Sequence, residues 1–112
     1  MLLIDQRIIR RAKKRIKNCP FNRVFFHRLQ NSSLSAQNVF TNKSKFLKKD
    51  FNFINNPSFI ENEFISLIKI GVLRREVDGQ GLTSKVRITP IGREILKNSS
   101  DLYEQKKSIL RK

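Results

Sequence analysis

At Gly71 the spacing of apolar residues changes from the period of a helix to that of a strand. Before it, Ile60, Phe64, Leu67 and Ile68 form the core stripe of a helix expected to begin near Ser58, with Glu61 in its first turn beside the positive helix end. Gly71 itself is a natural terminator. After it, Val72 to Val77 is a strand, Asp78-Gly79-Gln80-Gly81 a turn, and Lys85 to Thr89 the return strand. Val86 and Ile88 point to one face of that strand, and Lys85, Arg87 and Thr89 to the other. Thr89 then caps a helix with Pro90 at its first position and Ile91, Ile95 and Leu96 on its apolar side. Because the chain leaves the first helix sharply at a glycine, the hairpin folds back on it.

The segment before this unit is helical. From Leu3 to Lys17, Ile4, Ile8, Ile9, Ala12 and Ile16 make one amphipathic stripe, and Asn18-Cys19-Pro20 ends the helix. A second helix is expected over Asn22 to Gln30, with Val24, Phe25, Phe26 and Leu29 turned inward, and Asn31-Ser32-Ser33 breaks it. Ser35 caps a short helix carrying Ala36, Val39 and Phe40. The basic run Lys43 to Lys49 is anchored by Phe46 and Leu47, and Asn52 to Pro57 is a turn-rich link. A last helix starts at Asp101, with Glu104 completing a capping box, and runs through Ile109 and Leu110. The expected organisation is a basic helix over 1–18, one domain over 20–98 and a helical extension over 99–112.

Charge limits what such a domain can bind. The 112 residues carry 24 Lys plus Arg against 9 Asp plus Glu, a net charge of +15. A small domain needs a net charge of only about 2–8 for solubility, and the excess repels itself unless a polyanion relieves it. Residues 1–30 hold nine of the cations and one acid, so over half the excess lies in the first quarter of the chain. A membrane surface is the weaker match for that charge. The opening Met1-Leu2-Leu3-Ile4 is far shorter than the ~18 apolar residues of a spanning helix, no signal peptide is expected, and the first helix lacks aromatic anchors.

The run Leu67-Ile68-Lys69-Ile70-Gly71-Val72-Leu73-Arg74-Arg75-Glu76 resembles the passage from recognition helix to first wing strand in a winged helix-turn-helix. Val86-Arg87-Ile88-Thr89-Pro90-Ile91-Gly92-Arg93-Glu94-Ile95-Leu96 is similar to the exit from the wing in the multiple-antibiotic-resistance regulator (MarR) class. The resemblance covers roughly residues 57–97. It implies a mainly α fold with a small β-hairpin wing, to which this chain adds a basic N-terminal helix and a C-terminal helix. It also implies that the helix before the wing meets the major groove, presenting Ser58, Asn62, Ser66 and Lys69, and that the protein dimerises through its first and last helices. Glu61 and Glu63 depart from the pattern, since two acids against one lysine are poor phosphate chemistry. The cations suited to holding a duplex lie elsewhere: Arg7, Arg10, Arg11, Lys14 and Lys17 on the first helix, Lys43, Lys45, Lys48 and Lys49 in the second basic run, and Arg74, Arg75, Lys85 and Arg87 on the wing.

No catalytic constellation accompanies these features. Gly79-Gln80-Gly81 joins two strands and lacks the third glycine of a nucleotide fingerprint. His27 and Cys19, one of each, cannot supply the usual zinc site, and the lone cysteine points to a reducing, intracellular setting. The expectation is a non-enzymatic, cytoplasmic, nucleoid-associated DNA-binding protein without cofactor or metal, acting on transcription or on nucleoid structure. A structural RNA-binding or ribosome-associated protein is the alternative, for which such charge is ordinary. Duplex DNA ranks ahead of RNA as partner.

Overall fold

A computed structural model describes residues 5–97. Helix α1 spans Gln6–Asn18, with the Asp5 carboxylate accepting from the Arg7 amide at its start. Ala12 and Ile16 are buried, so this helix packs into the same core as the rest of the chain. Helix α2, Arg23–Arg28, buries Phe25 and Phe26, and its C-cap Leu29 is buried with them. Val24 corrects the expectation of an inward side chain: Phe25, Phe26 and Leu29 cover the inner face of this six-residue helix, and Val24 falls on its solvent side. The N-cap Asn22 accepts from the Phe25 amide at 3.0 Å and donates to the Lys45 carbonyl at 2.9 Å, joining α2 to the second basic run.

Helix α3 spans Ala36–Thr41 and starts with a capping box between Ser35 and Asn38. Helix α4 covers Lys43–Phe46, and a 3₁₀ turn follows at Lys49–Phe51. Helix α5 runs over Pro57–Lys69 with Asn56 as N-cap. It begins one residue earlier than expected because Pro57 occupies the first position, and Glu61 is thereby moved out of the first turn. Ile60, Phe64 and Leu67 are buried. Phenylalanines weld these helices: Phe21 stacks on Phe25 at 4.1 Å between centroids, Phe25 on Phe64 at 6.0 Å, and Phe26 and Phe46 meet Phe25 edge-on at 5.0 and 6.5 Å.

Helix α5 ends in a Schellman motif. Gly71 takes φ +89°, the Val72 amide donates to Leu67 O at 2.9 Å, and the Gly71 amide to Ile68 O at 3.0 Å. Strands β1, Leu73–Asp78, and β2, Gly81–Ile88, form an antiparallel hairpin; β2 begins earlier than the expected Lys85. A bulge interrupts the register between Arg75 and Val77. On the other edge of β2, Leu34 exchanges both backbone hydrogen bonds with Val86, at 3.2 and 2.8 Å, so the α2–α3 connection adds a one-residue third strand.

Helix α6, Pro90–Lys97, closes the base of the hairpin. The Thr89 hydroxyl lies 2.5 Å from Gly71 O and accepts from the Gly92 amide at 2.9 Å. A Cβ at Gly92 would stand 2.5 Å from Val72 O, so only glycine permits this approach. The architecture is a mainly helical small domain with a two-stranded antiparallel hairpin followed by a helix. The helix expected from Asp101 lies outside the described residues. Among the described residues no helix is long and apolar enough to cross a membrane.

Candidate nucleic-acid interface

Helix α5 shows solvent one narrow stripe, Ser58, Asn62, Ile65 and Lys69, at steps of four, three and four; Ser66 is half-buried beside it. The two acids that flank this stripe are both engaged. Glu63 pairs with Arg15 of α1 at 3.3 Å, and Glu61 pairs with Arg75 of β1. At 100° per residue, positions 61 and 63 lie on opposite flanks of α5. The ion pairs are therefore two seams, one joining α5 to α1 and the other joining α5 to the hairpin. The face between them keeps its single cation, Lys69, and has its acids neutralised.

The sequence groups Arg75 with the wing cations, although strand alternation sets it on the side of Leu73 and Val77, and in the structure it does turn to that side. It shares the face of β1 that buries Leu73, and its guanidinium meets Glu61 and donates to Ser84 O at 2.9 Å. Its side chain is only 19% exposed. Arg75 thus braces the hairpin against α5. Arg15 is the corresponding residue on α1, and its role was missed in the sequence. The available signal was its place beside Ile16, on the flank of the buried stripe.

The cations of α1 are arranged as expected. Arg7, Arg10, Arg11, Lys14 and Lys17 are all exposed and recur at helical spacing on the side opposite Ala12 and Ile16. From Arg7 to Lys17 the stripe extends about 15 Å at 1.5 Å per residue. Arg7 is paired with Asp5 at 3.1 Å, and its hydrogen bonds hold that carboxyl below the usual range. The other four carry no ion pair among the described residues. Arg11 and Ile8 also line a cleft of about 510 Å³ with Ser66 and Lys69, so the α1 stripe borders the exposed end of α5.

The second basic run divides. Lys45 and Lys49 are exposed. Lys43 turns its amine onto Ile54 O, and Lys48 donates to Lys17 O at 2.9 Å, which satisfies the end of α1. Partial burial lowers the Lys48 pKa. These two lysines are fastened to the backbone and half-buried, whereas Lys45 and Lys49 are exposed. On the hairpin, Arg74 and Lys85 are exposed, and Arg87 is half-buried near Glu76 at 3.9 Å. Arg74 and Arg87 stand directly opposite in the register, a like-charge pair whose repulsion the Glu76 carboxylate beside Arg87 offsets in part. The tip itself carries exposed Val77 and Leu82 instead of cations.

Cys19 is buried, and burial pushes its thiol up to about 11, so it offers no reactive sulfur. His27 is exposed on α2. Among the described residues no group of three His, Cys, Asp or Glu side chains is placed to hold a metal ion. The chain matches no curated protein and no solved structure. A family model described as Npun_F0494-like matches residues 2–112, essentially the whole chain. The chain belongs to the Npun_F0494-like family.

Proposed function

We propose that this is a DNA-binding protein of the winged helix-turn-helix type, acting as a transcriptional regulator or nucleoid-associated factor. The observation that carries the reading is the pair of seams at Glu61 and Glu63. They neutralise both acids of α5 and tie its two flanks to α1 and to the hairpin, which both carry exposed cations. A duplex on that stripe meets Arg11, which shares a cleft with Lys69, and the other exposed cations of α1 and the hairpin add to its attraction. Ser58, Asn62 and Lys69 face the groove, where a carboxamide can bond adenine. The one-residue strand at Leu34, joined to β2 of the hairpin, also supports the winged reading. The interface is dominated by phosphate contacts, so affinity follows charge more than base sequence. Dimerisation through α1 and the last helix belongs to the same proposal, and sedimentation of the full chain checks it.

Duplex binding measured across a salt series tests the function. Each neutralised phosphate contributes about −0.9 to the slope of log K against log salt, so ~5 simultaneous contacts give about −4.5. A flat dependence would remove the electrostatic reading.

A further inference from the structure

Of the nine phenylalanines, eight are buried or packed against the core, and Phe53 alone is open to solvent, 73% exposed. It is not a loose end. Ile54, the next residue, is buried, and its amide donates to Phe51 O at 3.2 Å. The Lys43 amine holds the Ile54 carbonyl, and the Phe51 amide donates to Lys48 O at 2.9 Å. Phe51 packs on the core and supports the Phe53 ring from one side, centroids 6.2 Å apart and planes tilted by 32°. The other face of Phe53 is free, three residues before the N-cap of α5. Exposed Lys49 and Lys45 precede it, and Asp50 is the one acid in residues 48–56.

We infer that Phe53 is a stacking platform for an unpaired nucleobase, with Lys45 and Lys49 taking the flanking phosphates. This rests on the nucleic-acid reading above and extends it to single-stranded or locally opened strands. A ring of this kind gains little from a duplex, whose base faces are covered, but stacks on any base that is unstacked. An exposed aromatic on a backbone held at both sides, with cations on the same segment, suits single-strand recognition, because the backbone needs little ordering when the base arrives.

The test compares wild type, Phe53→Ala and Phe53→Trp in binding a short oligothymidylate and a duplex of equal length, at one salt concentration. Alanine at this exposed position leaves the fold intact, which an unchanged melting curve verifies. Phe53→Ala is expected to weaken oligothymidylate binding by about 5- to 150-fold and to leave duplex binding unaltered. Phe53→Trp is expected to restore it. The chain has no tryptophan, so the new indole is a unique fluorophore, quenched by the oligonucleotide. Equal affinities of wild type and Phe53→Ala for the oligothymidylate, with duplex binding intact, would overturn the stacking inference and leave the DNA-binding reading standing. Failure of wild type to bind either nucleic acid would overturn both.

Discussion

Gly92 shows how a single missing side chain fixes the geometry at the base of the hairpin. The position is filled by the Val72 carbonyl at the entry to the hairpin, while Thr89 bonds the entry and the exit together. Gly92→Ala forces α6 away from β1 and is expected to destabilise the protein by about 1–3 kcal/mol, the usual cost of overpacking a filled site. A lowered melting temperature checks this, and an unchanged one would mean the hairpin base tolerates a shift. Cys19 is the second residue-scale case. With the folded thiol raised to about 11 from 9.0, the unfolded chain loses its proton first as pH rises. The thiol's effect on stability is therefore neutral below pH 9.0 and unfavourable through the window up to about 11. At neutral pH the native protein should resist iodoacetamide and the denatured chain should react, as mass spectrometry of the two will show. Rapid labelling of the native form would contradict the burial of Cys19.

At the scale of elements, what the sequence made legible follows local rules. The terminator Gly71, the Thr89-Pro90 cap, the alternation of Val86 and Ile88, and the basic stripe of α1 each depend on neighbours within a few residues. The features that escaped are non-local. Arg75 is held by Glu61, fourteen residues away. Lys43 and Lys48 bond carbonyls 11 and 31 residues distant, and no pattern within a basic run distinguishes them from Lys45 and Lys49. On the proposed reading the hairpin therefore offers a phosphate backbone three cations, Arg74, Lys85 and Arg87, and not four. Replacing these three by alanine is expected to lower duplex affinity alike for unrelated sequences and to reduce the salt slope by up to about 2.7. Affinity unchanged in the folded triple variant would make the hairpin purely structural.

Over the whole molecule, the core determines where charge can gather. Phenylalanines from four segments fill the centre, α1 is drawn against α5 by Ala12, Ile16 and the Arg15–Glu63 pair, and the α1 cations are left on the outside. The same placement covers the acids of α5 and exposes the stripe bordering it. Under the proposed function, α1 supplies more of the electrostatic attraction than any other element, since Arg10, Arg11, Lys14 and Lys17 have no ion pair among the described residues. The most direct measurement is duplex affinity across a salt series for the wild type and for the variant with Arg7, Arg10, Arg11, Lys14 and Lys17 changed to glutamine. Glutamine keeps helix propensity and spares the buried stripe. The expected result is a large fall in affinity in a protein of unchanged melting temperature. The salt slope should become shallower by up to ~0.9 for each phosphate that is no longer neutralised. Wild-type affinity and slope in that variant would contradict the placement of the phosphate clamp on α1.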